Sequence, residues 1–291
     1  MLKEAVRKAF GLAGINVTRG KPPNIGRELA LYKQLYSSES LARKKFYNVG
    51  AGGFSHRYWT NIDFVSDHYA TIQKDVVHYD LMALGPLPIA DGEAEIIYTS
   101  HTIEHVSDAA VENLFREAHR VLKPGGCLRV TTGPDANLDY AALQRGDAAH
   151  FYWDEYYAAP GQFEQHFRAP ATSVPLEERW LHHVATQLAP NDITDYPIKL
   201  DAAKIRTLLA EKPLEEALDY LTSLCKFDPA RPGNHMSWWT PAKATDLMRR
   251  CGFETVYPSG YGQSRFAVLR DTRYFDCTHP AMSLYVEAIK T

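Results

Sequence analysis

The chain has 291 residues, 45% of them hydrophobic and 23% charged, the proportions of a globular protein with a sizeable core, which excludes a disordered or fibrous chain. Its 32 Lys and Arg against 35 Asp and Glu leave a formal net charge of -3. No global field therefore draws it onto nucleic acid or an anionic membrane, although a local basic groove stays open.

No apolar stretch approaches the roughly 18 residues that a membrane span needs. Lys3, Glu4, Arg7 and Lys8 interrupt the N-terminus at helical intervals, unlike a signal peptide. A soluble, cytoplasmic protein without membrane insertion is expected. Cys127, Cys225, Cys251 and Cys277 have the spacing of neither a disulfide scaffold nor a metal knuckle, and read as reduced thiols.

In chain order, residues 26 to 45 read as one helix, with Leu31 and Leu35 on a shared face beside Tyr32 and Tyr36. Short apolar runs then alternate with helical segments, as a parallel α/β sheet requires. KFYNVG ends at Gly50, NIDF contributes Asp63, VVHYD ends at Asp80, EIIYTS at Ser100 and CLRVTT at Thr132. Between the fourth and fifth of these strands, Val111, Leu114, Phe115, Ala118, Val121 and Leu122 recur at three- and four-residue steps, with Ser107 as N-cap and Pro124-Gly125-Gly126 as the stop. Pro86 and Pro88 leave no room for a regular crossover helix before the fourth strand.

The stretch 134 to 237 breaks this pattern and reads as a mostly helical insertion, with helices at 201 to 212 and, opened by Pro213, at 213 to 226. The α/β pattern resumes with Thr240 as N-cap, Pro241 at the first helical position, FETVY as a strand and SLYVEAI as the last one. The expected fold is α/β: a doubly wound, mostly parallel seven-stranded sheet with a mostly helical insertion. The expected divisions are an N-terminal helical segment at 1–45, the core at 46–133, the insertion at 134–237, and the rest of the core at 238–291.

Gly50-Ala51-Gly52-Gly53 follows an apolar strand. It is either a plain strand-end turn or a place where a ligand approaches the backbone without a Cβ in the way. Position 55 is Ser, so the dinucleotide fingerprint fails, and no Gly-Lys-Ser/Thr follows to make a phosphate loop. Asp63, Asp80 and Ser100 all fall at carboxyl ends of strands, the edge where open α/β sheets bind ligands. One carboxylate there can accept from a ribose diol and another from an adenine amine, although a lone strand-end Asp also serves as a turn or cap residue.

NVGAGG, NID, YDLMALGPLPIADGEAEIIYTSHTIEHV and REAHRVLKPGGCLRVTT, in that order, resemble the successive motifs of the class I S-adenosylmethionine-dependent methyltransferases over about 46 to 132. The resemblance implies a Rossmann-like sheet with an antiparallel last strand, S-adenosyl-L-methionine as cofactor and S-adenosyl-L-homocysteine as product, with residues 46–133 as the cofactor-binding core and the insertion at 134–237 as an acceptor-binding cap. It implies Gly50, Ala51 and Gly52 along the methionine portion, Asp63 with Phe64 at the ribose, Asp80 with Leu81 at the adenine, and Ser100 and His101 near the sulfonium. The chain departs from the family between Gly53 and Asn61, too short for a full first crossover helix. Arg27, Tyr32 or Lys33 from the N-terminal helix are candidates to cover the methionine carboxylate.

His101-Thr102-Ile103-Glu104-His105 has the H-x-x-E-H spacing of inverted zinc peptidases, but it runs directly into the Ser107 cap and has no third downstream ligand, so no metal is expected. As a methyltransferase loop it offers His105 as general base, Glu104 as its orienting partner and His101 beside them; a purely structural role for Glu104 and His105 stays open.

The insertion leaves the fifth strand at the ligand edge, so it is placed to choose the acceptor. Its Tyr152, Trp153, Tyr156, Tyr157, Phe163, Phe167 and Trp180 either stack on sugar faces or pack together. His150, His166, His182 and His183 are further candidate bases, and His235, Trp238 and Trp239 candidates for the pocket border. The run from Tyr261 to Lys290 resembles, more loosely, methyltransferases of bacterial surface-polysaccharide and deoxysugar synthesis, which implies a sugar hydroxyl or glycan acceptor. Nitrogen or small-metabolite methylation, a catalytically idle cofactor-binding protein and a zinc hydrolase are the alternatives. No nucleic-acid partner is expected, and a homo-oligomer is compatible with the reading.

Overall fold

The structure, a computed structural model, describes residues 25–66, 73, 75–151, 173–190 and 195–291. Seven strands form one sheet: β1 (Phe46–Val49), β2 (Trp59–Asp63), β3 (Val76–His78), β4 (Ala94–Ser100), β5 (Leu122–Thr132), β6 (Thr255–Pro258) and β7 (Leu284–Ile289). Their spatial order is β3-β2-β1-β4-β5-β7-β6. The first five run parallel, and β7 lies antiparallel between β5 and β6. This is the expected Rossmann-like sheet with an antiparallel last strand. All of β1 is buried and β4 is buried from Ala94 to Thr99, which explains why these strands read as continuous apolar runs. Successive strands move outward from β1 to β3, then the chain crosses to β4 and continues the other way. The switch therefore opens a crevice beyond the carboxyl ends of β1 and β4.

The expected single helix over 26 to 45 is two: α1 (Ile25–Leu35) and α2 (Ser38–Ala42). Ser37 has extended backbone and its hydroxyl accepts from Ser40 N, so a new helix starts there. The helix α3 (Asp108–Val121) begins at Ser107, whose hydroxyl accepts from Ala110 N, and buries Ala110, Val111, Leu114, Phe115, Ala118 and Val121 against the sheet. Burial of each larger side chain is worth about 1.5–3 kcal/mol. Leu122 then turns extended, and β5 starts there, so Pro124-Gly125-Gly126 lies inside the strand rather than after the helix.

Residues 50 to 58 join β1 to β2 without a helix. The sheet face that such a helix would cover is instead packed by Tyr32 from α1, and by Val268, Leu269 and Phe275 from the segment before β7, against Phe46, Trp59 and Tyr98. Tyr32 is 1% exposed and its hydroxyl accepts from Trp59 Nε1 at 2.7 Å. The same segment is pinned by a fully buried ion cluster. Arg129 on β5 donates to Asp276 and to Glu287 on β7, and Tyr257 donates to Glu287 at 2.5 Å. Because all three charged side chains of the cluster are cut off from water, each needs the others.

After β5 come α4 (Ala136–Arg145), α5 (Leu176–Val184), α6 (Ala202–Glu211) and α7 (Leu214–Ser223). They share an apolar cluster of their own around Phe151, Trp180, Leu181, Ile205, Leu218 and Leu221. α8 (Pro241–Arg250) begins at Thr240, whose hydroxyl accepts from Lys243 N, and Trp239, Leu247 and Met248 return to the main core beside β5 and β7. Among the described residues no helix is long and apolar enough to cross a membrane.

Candidate active site

The crevice at the switch point has a volume of about 620 Å³, inside the range of small-molecule and cofactor sites. The backbone ladders bring its parts to one edge. Gly50 N donates to Ile62 O, Tyr79 N to Asp63 O and His101 N to Thr131 O, each at 2.9 Å. Gly50 sits at φ +72, and a Cβ there would lie 2.1 Å from Thr102 Oγ1, so only glycine lets the ends of β1 and β4 approach this closely. Gly52 at φ +50 faces open space, leaving its backbone clear for a ligand.

Asp63 closes the glycine turn. Its Oδ2 accepts from Gly52 N and its Oδ1 from Phe64 N, both at 2.7 Å. Each oxygen keeps a second acceptor direction, so the carboxylate can also receive hydroxyl protons. Asp80 lies two residues past the end of β3, rather than at its last position. Its Oδ1 accepts from Met82 N at 2.8 Å and caps the one-turn helix Leu81–Ala83. Gly50, Ala51, Gly52, Asp63, Phe64, Asp80, Leu81, Ser100, His101 and His105 all line the crevice. Glu104 does not; it is buried behind the wall at 1% exposure.

Glu104 nonetheless organises the histidines. Its Oε2 accepts from Thr132 Oγ1 at 2.6 Å, and its Oε1 lies 3.1 Å from His101 Nδ1 and 4.0 Å from His105 Nε2. Burial opposes its charge, but His105, the His101 hydrogen bond and His235 outweigh burial and hold the carboxyl well below the usual carboxylate range. His101 has backbone φ 49, an uncommon left-handed position for a residue with a Cβ. Its Nε2 meets Ser283 Oγ at 2.9 Å. His279 stacks edge-on to it at 5.7 Å, and burial followed by the His101 charge pushes His279 down to about 4.

Several walls carry no signal in the sequence reading. Arg273, Tyr274, Cys277 and Thr278 come from the segment pinned by the ion cluster, and Phe227 and Pro232 from the loop after α7. The aperiodic polar run RYFDCTHP just before an apolar strand is the one hint the sequence holds. Arg273 lines the crevice and the neighbouring groove, its guanidinium paired with Asp271. Of the residues proposed to cover the methionine carboxylate, Tyr32 is buried away from the crevice, Arg27 lines a separate groove, and Lys33 is exposed on α1 without lining the crevice.

The other insertion candidates divide. Trp180 is fully buried in the insertion cluster, and Trp238 and Trp239 are core residues rather than pocket walls. His150 and His183 both bond Asp139, at 2.6 and 2.7 Å, so this buried carboxylate stays below its ordinary range despite burial. His182 is buried on α5. Tyr152, Trp153, Tyr156, Tyr157, Phe163, Phe167 and His166 lie outside the described residues.

Residues 53–130 match a family model described as a methyltransferase domain. S-adenosylmethionine-dependent methyl transfer is the activity this match supports. The cofactor is S-adenosyl-L-methionine. Among solved structures, an S-adenosylmethionine-dependent methyltransferase from Mesorhizobium loti is 16% identical, with 90% of this chain and 96% of that chain covered and a TM-score of 0.38. One from Archaeoglobus fulgidus is 12% identical over 100% of both chains with a TM-score of 0.38. One from Thermotoga maritima, described as a possible histamine N-methyltransferase, is 14% identical over 100% of this chain and 95% of that chain with a TM-score of 0.35. No curated protein matches the sequence. The methyltransferase-domain match begins at Gly53 and ends at Val130, so it takes in Asp63, Asp80, Ser100 and the HTIEH loop but neither α1 nor the pinned C-terminal segment.

Proposed function

We propose that this protein transfers the methyl group of S-adenosylmethionine to a small acceptor, by preference a hydroxyl oxygen of a sugar or glycan precursor. The observation that carries the reading is one continuous crevice whose lining joins the glycine turn, Asp63 and Asp80 to His101 and His105. Asp63 receives the ribose hydroxyls while holding the turn through Gly52 N. Asp80 and Leu81 face the adenine, one as hydrogen-bond acceptor and the other as an apolar wall. Arg273 pairs with the methionine carboxylate, the contact that a first crossover helix would otherwise serve.

The cofactor supplies an electrophilic methyl on a cationic sulfonium. The remaining demand on the protein is to hold an acceptor in line with it, which can account for most of the barrier reduction. An alcohol must also lose a proton. His105 is the base within reach of the crevice, and Glu104 behind it orients the imidazole rather than touching the acceptor. Phe227, Pro232 and Thr278 form the walls against which an acceptor is selected.

The test pairs calorimetry with S-adenosylhomocysteine and a turnover assay, reading S-adenosylhomocysteine release over a panel of nucleotide sugars, glycosides and amines. The expected result is cofactor binding together with turnover confined to hydroxyl acceptors. Turnover on amines alone reassigns the acceptor to nitrogen. Tight binding with no transfer to any member makes the protein a cofactor-binding protein without catalysis.

A further inference from the structure

Glu104, His105 and His235 each offer a ligand atom within 4.8 Å of the others, the one such group of three among the described residues. His235 comes from the loop after α7, and the fold sets its ring 4.8 Å from that of His105, edge to face. The hydrogen bonds of the two rings settle their tautomers. His105 Nδ1 faces Asn234 O at 3.3 Å, and His235 Nδ1 faces His183 O. A carbonyl oxygen only accepts, so both Nδ1 atoms carry the proton and, in the neutral rings, both Nε2 atoms present a lone pair.

That is the outer arrangement of histidines that bind metals, whose second nitrogen is held by a carbonyl or carboxylate. It also creates a conflict. His105 Nε2 lies 4.0 Å from Glu104 Oε1, and an imidazole lone pair beside a buried carboxylate calls for a cation between them.

We propose that Glu104, His105 and His235 hold a divalent transition-metal ion of the zinc, cobalt or iron class beside the crevice. Two imidazoles and one carboxylate are a borderline donor set that such ions favour over magnesium or calcium, and three protein ligands leave a coordination position open. Ligands about 2.1 Å from a tetrahedral ion stand roughly 3.4 Å apart, so the three side chains close on the ion by on the order of one ångström. Of the three ligands His105 also lines the crevice, which sets the ion's site beside the space where an acceptor would lie. An oxygen of the acceptor reaching the open position would be oriented and made more acidic, and with His105 Nε2 on the ion the metal, rather than the free imidazole, would promote loss of its proton. This last role rests on the function proposed above; the binding of the ion does not.

The experiment is cobalt(II) titration of the chelator-treated full chain, read by the visible absorption of the bound ion and by zinc competition. One ion should bind per chain. His105→Asn and His235→Asn should each weaken it by more than the roughly 10–100-fold that loss of an outer hydrogen bond costs. His279→Asn, beside His101 but outside the trio, should leave ion affinity unchanged, and His235→Asn should bind S-adenosylhomocysteine like the wild type, since His235 does not line the crevice. No stoichiometric ion at neutral pH, or an ion retained in both His105→Asn and His235→Asn, overturns the proposal. Loss of the ion with cofactor binding intact separates this test from that of the methyltransferase reading.

Discussion

Replacing Gly50 by alanine tests the geometry at the switch point most directly. A Cβ at φ +72 carries a left-handed penalty of about 1–2 kcal/mol. It would also stand 2.1, 2.3 and 2.7 Å from Oγ1, Cγ2 and Cβ of Thr102, so Thr102 must move away. Its hydroxyl then gives up its contacts with Gly50 O and Ser100 O, at 3.3 and 3.2 Å, and a hydrogen bond of this kind is worth about 0.5–1.5 kcal/mol. The combined loss is roughly 2–4 kcal/mol, which at about 2 °C per kcal/mol for a chain of this size lowers Tm by roughly 4–8 °C. Thr102→Ala should not rescue Gly50→Ala, because the Thr102 Cβ itself stands at 2.7 Å. Thr102→Gly should, so the double variant Gly50→Ala/Thr102→Gly loses less than the sum of its parts by about 1–2 kcal/mol. Calorimetric melting and S-adenosylhomocysteine titration of the wild type, the three single variants and the two double variants read this out. Gly50→Ala melting within a degree of wild type with undiminished ligand affinity would refute the close packing of β1 on the HTIEH loop.

Asp63→Ala, which frees Gly52 N and Phe64 N, is expected to abolish S-adenosylhomocysteine binding by calorimetry, whereas His105→Ala should bind and turn over slowly; equal affinity of Asp63→Ala and wild type counts against the pocket. Arg129→Met strands Asp276 and Glu287 in the core and should cost roughly 3–5 kcal/mol in urea unfolding, while a loss below 1 kcal/mol would mean the cluster is not desolvated. His279 is held neutral in the fold, its pKa lowered from 6.5 to about 4. The unfolded chain therefore binds more protons between those values, so this contribution is complete above pH 6.5 and is lost as pH falls toward 4. His279→Asn should flatten the fall of stability across that window, and an unchanged slope from denaturation at pH 4.5, 5.5 and 6.5 would contradict it.

Much of the sheet was legible because parallel strands covered on both faces are written as plain apolar runs, and because Ser107 and Thr240 cap their helices through their own side chains. The same local chemistry misled where two signals overlapped. The periodicity of Leu31 and Leu35 ran past Ser37, whose capping bond breaks the helix, and Asp80 was read as a strand end when its side chain starts a turn. The crevice residues Asp63, Asp80, Ser100, His101 and His105 were visible because each lies at the carboxyl end of a strand or within a few residues after it. Arg273 and His235 were not, since no periodicity marks them and only the folded chain brings His235 beside His105. Arg129 carries no mark of its role within the run CLRVTT, because its partners Asp276 and Glu287 stand 147 and 158 residues away.

The bare stretch between β1 and β2 has a bearing on how the molecule is made. Tyr32 reaches Phe46 and Trp59 early, but the rest of the cover over Trp59 and Tyr98 comes from Phe275, and Tyr98 takes the amide proton of Asp276 across 178 residues of chain. On a ribosome the early strands would thus wait with an oily side unclothed until nearly all of the described chain has emerged. Such a topology folds slowly and leaves an unfinished intermediate prone to stick to its neighbours. Holding chaperones, or a cooler growth temperature, should raise the yield of native protein more than any change confined to the amino-terminal half.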